Sequence, residues 1–390
     1  MSGSKKTYNL FQISEARNVL FGIATLWIGF FHSKNLLMSF YTSNPVINYL
    51  FHAIKGSGNV GVDMFLFLSG IGLYFSFVKD SRVLSFWKRR LIRILPTAFV
   101  IAACYYSLRY ATYPNGPFND SGLGVFLSRM TFTFFFWKGE RVFWFISLIL
   151  LLYLLFPLFY KVIVRFRLIG ALLLIALAVA ITFLFRRIFP EQYSLLEIAV
   201  CRIPVFIVGI WAGRFVMEKK EISRRWLWLF LVAAVVSLLC MRYYSIAVEH
   251  FVPGYDIKTD EAMYLWIYRY AGSVLGVSLV FLLSFVCMSL RKRGRCKWIS
   301  SFFAFVGMYS MEYYMIYANI AGFLNRVYRI EQRHQVMLYF GCFVITLILC
   351  VAVRKFCDFF MRCLQKPTKS EEKNLQTDNR TSAKDGGKAQ

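Results

Sequence analysis

Residues 142–160 read VFWFISLILLLYLLFPLFY and residues 168–186 read LIGALLLIALAVAITFLFR, with Lys161, Arg165 and Arg167 in the short segment between them. At 1.5 Å of rise per residue, each run is long enough to carry a helix across about 30 Å of hydrocarbon. Neither alternates with the two-residue period of a barrel strand. The fold class is therefore all-α, a polytopic transmembrane helical bundle. Outward from this pair, the same reading predicts about ten spans, namely 17–36, 60–78, 94–112, 142–160, 168–186, 199–216, 226–246, 266–289, 302–324 and 336–358. The stretch from Val125 to Trp137 is shorter and carries Arg129, so it reads as a re-entrant or interfacial segment.

Composition agrees. The chain has 390 residues, 58% of them hydrophobic and 19% aromatic, with a mean hydropathy of +0.54, far more apolar than a soluble domain of this length. Its 46 Lys and Arg outnumber 20 Asp and Glu, but the basic residues form short clusters between apolar runs. Without a continuous basic stripe, nucleic acid is not the expected partner, and the lipid bilayer is. With the amino terminus inside, about 31 basic residues fall in inner segments and about 14 in outer ones, which places both termini on the cytoplasmic side of the inner membrane. The basic start followed by an apolar run resembles a signal peptide, but Phe30-Phe31-His32 offers no small-residue cleavage site, so it reads as an uncleaved first helix. Residues 1–365 form the bundle and residues 366–390 a solvated tail without apolar periodicity. The nine cysteines include no CxxC pair and no histidine at metal spacing, so no metal site is expected.

An ionisable side chain inside a span is a functional candidate, because burying its charge is costly. His32 lies about 22 Å along the first helix from Arg17, and Asp63 begins the second span at a similar expected depth. Facing each other, they would form an imidazole oriented by a carboxylate, a common general base. Each also has a plainer reading, His32 as an interfacial histidine and Asp63 as a helix cap after the turn at Gly58, Asn59 and Gly61. Glu140, Arg141, Trp144, Ser147, Glu197, Arg202 and Tyr317 fall on the same outer level, as site residues or as anchors of the interfacial belt. On the cytoplasmic side, Lys88, Arg89, Arg90 and Arg93 precede Pro96, a patch suited either to phosphates or to setting topology.

Several segments together resemble the acyltransferase type 3 family of bacterial integral-membrane O-acyltransferases. They are Arg17 to Ala24 leading to Phe31-His32-Ser33, Gly58 to Phe65 with Leu68-Ser69-Gly70, and Lys88 to Pro96. Further along come Trp144 to Ser147 with Tyr153 to Pro157, Arg202 to Phe206 with Gly209, and Ser310 to Tyr314. The resemblance implies transfer of an acyl group, usually acetyl from acetyl-CoA as cosubstrate, to a hydroxyl of a cell-envelope carbohydrate, with no permanently bound cofactor. It implies catalysis by His32 with Asp63 and donor binding by Lys88, Arg89, Arg90 and Arg93. Arg17, Trp144, Ser147, Arg202 and Tyr317 are then the expected supporting residues, among them an oxyanion donor.

Three positions depart from the family pattern. Phe21 stands where many members carry a basic residue, and Arg17, one turn earlier on the same face, is the expected substitute. Ile149 replaces a glutamate, and Tyr317 replaces the histidine that closes the ninth-span motif. Direct transfer and an acyl-histidine relay both fit. A transporter of envelope saccharides is the rival from another class, and a scaffold without catalysis a third reading.

Overall fold

The computed structural model describes residues 7–33, 44–112, 122–251, 261–294, 296–328 and 335–364. The chain begins with β1 (Thr7–Asn9), the single turn α1 (Gln12–Glu15) and α2 (Arg17–His32). Next comes α3 (Pro45–Gly56), which starts where the Asn44 side chain accepts the amides of Val46 and Ile47. A 3-10 turn at Gly58–Val60 leads into α4 (Gly61–Lys79), followed by α5 (Val83–Thr112). The short α6 (Leu123–Met130) and α7 (Phe134–Lys138) precede α8 (Trp144–Ile188), α9 (Pro190–Val200) and α10 (Ile203–Met217). After β2 (Glu221–Ser223) come α11 (Arg225–Phe251), α12 (Glu261–Lys292), α13 (Lys297–Met308), α14 (Ser310–Tyr328) and α15 (Gln335–Leu364).

The fold is all-α and multi-pass, with seven described stretches long and apolar enough to cross a membrane. The expected ten differ from this count at identifiable places. The spans read at 142–160 and 168–186 form one helical stretch that turns at Arg167, whose φ is 52°. An unbroken helix would separate residues 162 and 170 by about 12 Å, whereas a Cβ on Gly170 would lie 2.6 Å from the Val162 carbonyl, so the chain bends sharply there. The first expected span is a helix of 16 residues, and the one read at 302–324 is divided between α13 and α14. The segment 125–137 is two short helices broken at Phe132, neither long enough to span. The expected tail lies outside the described residues.

Lipid and protein faces sort by burial. The most apolar window, within Trp144–Ile188, is 17% buried, whereas that of the less apolar Val46–Lys79 is 78% buried. The strongest hydrophobicity therefore faces outward and α4 lies at the centre, as expected where lipid and side chains are equally apolar and small residues drive packing. Close backbone approach supplies that packing. A Cβ on Gly22 would strike the Phe303 carbonyl and one on Gly307 the Asn18 carbonyl, so α2 and α13 touch through reciprocal glycines. Gly70 and Gly209 do the same for α4 and α10, against the carbonyls of Phe206 and Phe67.

One clasp closes the base of the bundle. β1 pairs antiparallel with β2, Thr7 opposite Ser223 and Asn9 opposite Glu221, and the buried Tyr8 hydroxyl meets Ser284 Oγ at 2.6 Å. This brings the start of the chain and the α10–α11 connection to one face. Gly209→Val is expected to separate α4 from α10 at a cost of about 1–3 kcal/mol, read as a fall in the unfolding midpoint of the detergent-purified protein.

Candidate active site

The site is built along α2, whose ends, Arg17 and His32, stand about 22 Å apart. At the Arg17 end a cavity of about 300 Å³ opens between α2, α4, α5, α8, α14 and α15. Four arginines line it, Arg17, Arg90, Arg93 and Arg354, over an apolar wall that includes Phe21, Phe65, Phe145 and Ile149. The Arg17 guanidinium lies 4.9 Å from the centre of the Phe21 ring. It occupies space left by Gly72, where a Cβ would come within 2.6 Å of Nη2. Arg90 stacks on Phe86 at 5.6 Å, and the Nε atoms of Arg17 and Arg90 are buried without a hydrogen-bond acceptor. Among the described residues, no carboxylate pairs with Arg17, Arg90 or Arg93.

The other two members of the expected donor patch are elsewhere. Arg89 is bound to Asp80, which also takes Arg82 Nε at 3.1 Å and Ser85 Oγ at 2.9 Å. Hydrogen bonds from Arg82, Ser85 and Arg89 hold the Asp80 carboxyl well below the usual carboxylate range. Lys88 is exposed and does not line the cavity. Positions 90 and 93 share one helical face and 88 points away from it, whereas Arg89, one turn before Arg93, is held off the cavity by Asp80.

At the far end, His32 is the exposed last residue of α2. It borders a cavity of about 20 Å³ with Thr25, Gly29, Tyr313 and Tyr317. The two tyrosine rings stack, with centroids 5.0 Å apart and planes 14° apart. Ile28, Phe65, Ser310 and Tyr314 line both cavities, so the arginine end and the histidine end share a wall.

Asp63 is not the partner of His32. Its Oδ2 lies 3.3 Å from Arg202 Nε, and its Oδ1 accepts the Ser273 hydroxyl at 2.7 Å, all three being buried. The reason is depth and rotation. α4 enters beside Ala24 and Ile28, since a Cβ on Gly61 would sit 2.8 Å from both the Ala24 carbonyl and the Ile28 side chain. Asp63 is thus about 12 Å below His32 and faces α10 and α12. Arg202 also donates to the carbonyls of Ile198 and Asn59 and lies over the Trp144 ring at 5.4 Å. Trp144 and Arg202 therefore serve Asp63 and line neither cavity. Ser147 Oγ donates to the Phe132 carbonyl at 2.5 Å and is likewise remote from His32. On the same level, Glu197 takes Arg269 through both oxygens, at 2.7 and 3.0 Å, and Glu140 joins Arg129 and Arg109.

A family model described as an acyltransferase domain matches residues 18–355. The chain belongs to the acyltransferase type 3 family. Searches of curated proteins and of solved structures give no match. In this acyltransferase His32, read above as the first-span histidine, borders the small cavity, and Arg17, read as a substitute for a basic residue at Phe21, lines the large one together with Phe21. Sequence reasoning missed Arg354, Thr25 and Tyr313 as lining residues. Arg354 reads as an ordinary topology charge, and the tyrosines were visible only as part of the Ser310 to Tyr314 motif.

Breaking a buried ion pair costs about 3–5 kcal/mol by leaving one charge unmatched. Asp63→Asn is expected to lower the unfolding midpoint in detergent by several degrees, with recovery in Asp63→Leu/Arg202→Met, while His32→Ala leaves it unchanged.

Proposed function

We propose that this acyltransferase moves an acetyl group from acetyl-CoA to a hydroxyl of a cell-envelope polysaccharide or glycolipid, in the cytoplasmic membrane. One observation carries the reading. Three arginines without carboxylate partners stand at one end of α2 and an exposed histidine at the other, flanking cavities that share a wall. Uncompensated cations in a half-buried cavity call for an anionic ligand, and the arginine fork suits phosphate. The excess of basic residues in the segments read as inner loops supports a cytoplasmic arginine end.

In this mechanism the phosphates of CoA rest on Arg17, Arg90 and Arg93, and the thioester arm follows the apolar wall past Phe65 and Ile28. His32 takes the proton of the acceptor hydroxyl as its oxygen attacks the thioester carbon. The new C–O bond forms, the C–S bond breaks, and the proton passes from His32 to the departing thiolate. The Tyr317 and Ser310 hydroxyls are the donors on the cavity wall for the oxyanion. With Asp63 committed to Arg202, His32 works without it. The 20 Å³ beside His32 holds about one water-sized group, which favours an acetyl methyl over a longer chain.

In vitro, His32→Ala is expected to lower kcat for acetyl-CoA consumption by about 10²–10⁴-fold with the protein still folded. In cells, deletion and His32→Ala should both remove the acetyl mass increment from envelope glycans, read by mass spectrometry. Unchanged acetylation with altered polymer export would replace this reading by transport. Tyr317→Ala is expected to narrow the preference for acetyl-CoA over butyryl-CoA by about tenfold, measured as the ratio of kcat/KM values.

A further inference from the structure

We infer that Arg354, held in place by Glu312, is a fourth donor-binding residue that grips the phosphates of the acyl-CoA. The inference rests on the donor proposed above and assigns a role to a pair outside the expected site.

Arg354 reaches the large cavity from α15, across from Arg17 on α2 and near Arg90 and Arg93 on α5. Its Nε stands 3.0 Å from Glu312 Oε1, its Nη1 donates to the Met308 carbonyl at 2.5 Å, and its guanidinium lies over the Tyr309 ring at 5.0 Å. These contacts fix three sides of the fork. Nη2 has no partner among the described residues, and the side chain is 31% exposed, so a ligand in the cavity can reach it.

Glu312 is the unusual member. It is fully buried and neither of its oxygens accepts a hydrogen bond, so its compensation is electrostatic, from the ion pair with Arg354 and, further off, from Arg93. A buried ion pair of this kind costs about as much in desolvation as it returns in attraction, and an apolar pair would pack as well. Its effect is positional. It stops a flexible cation from swinging to lipid phosphates and holds it at the cavity with donors still available. A guanidinium fixed in this way presents its Nη2 donors to a phosphate at a set position, which a mobile lysine could not arrange. Four arginines from three helices then match a ligand bearing a diphosphate and a separate monophosphate better than one bearing a single phosphate.

The test uses full-length protein in nanodiscs. Calorimetric titration with CoA is paired with turnover of acetyl-pantetheine, a donor that lacks phosphates. Arg354→Gln is expected to weaken CoA binding about tenfold or more and to leave kcat and KM for acetyl-pantetheine unchanged. Arg354→Lys should fall between, and Glu312→Gln should shift the CoA dissociation constant in the same direction. Because Arg354→Gln leaves Glu312 buried and unpaired, Arg354→Gln/Glu312→Gln is measured beside it and should show the same selective loss. CoA binding equal to wild type in Arg354→Gln and in the double variant overturns the inference and leaves the acyl-CoA reading standing. Parallel loss of CoA binding and acetyl-pantetheine turnover overturns it too, by assigning the pair to the fold. A wild-type protein that binds no CoA overturns the donor reading and this inference with it.

Discussion

Everything in the bundle is arranged around a carboxylate that has no water to rely on. Asp63 sits in the first turn of the buried α4, and its two oxygens are met by Arg202 at the α9–α10 break and by Ser273 on α12. The break falls just before Pro204, in the first turn of α10, and leaves Arg202 at the junction. Where α9 stops at Val200 and α10 starts at Ile203, the guanidinium also covers the loose carbonyls of Ile198 and Asn59, so one side chain serves the ion pair and an open helix end. Three helices are thereby held at one level, and the glycine contacts of α4 with α10 and of α2 with α13 follow from that alignment. The cavities are what remains between α2 and α4 on one side and α5, α8, α14 and α15 on the other.

The architecture was legible because a membrane permits few alternatives. Apolar runs of spanning length had to be helices, and the charge bias placed the chain's start and its 218–224 connection on one face, where β1 and β2 meet. The His32 and Asp63 pairing was not legible. Residue counting gives a depth along a helix, but it ignores the length of chain spent in α3 and the following turn, and it says nothing about rotation about the axis. The donor patch was half legible for the same reason. Four basic residues within six positions read as one patch, although Lys88 lies off the shared face and Arg89 is taken by Asp80, so that only Arg90 and Arg93 line the cavity. Arg354 was beyond reach, since it joins that face from a helix more than 250 residues later.

The three departures from the family pattern acquire a common location. Phe21 and Ile149 both line the large cavity, and Tyr317 lines the small one. The three positions read as departures thus line the two cavities, whereas the motif residues Arg202 and Trp144 belong to the helix contacts around Asp63. Ile149 presents an apolar side chain, without charge of its own, to the cavity that the arginines line. Replacing a histidine by Tyr317 changes a titrating wall into a neutral one that stacks on Tyr313.

The clasp at the base of the bundle also sets an order of assembly. α2 follows β1 after a single turn of helix, so the position of Arg17 depends on a strand whose partner is more than 200 residues further along the chain. Synthesis runs from the amino terminus, and contacts of such long range close late. The first helix therefore enters the membrane with its base unanchored and is locked only after α10 has been made. Tyr8 then waits for Ser284, on α12, before its hydroxyl is matched. The cavity that Arg17 lines is in this way withheld from the nascent chain and comes into being only with a nearly complete bundle.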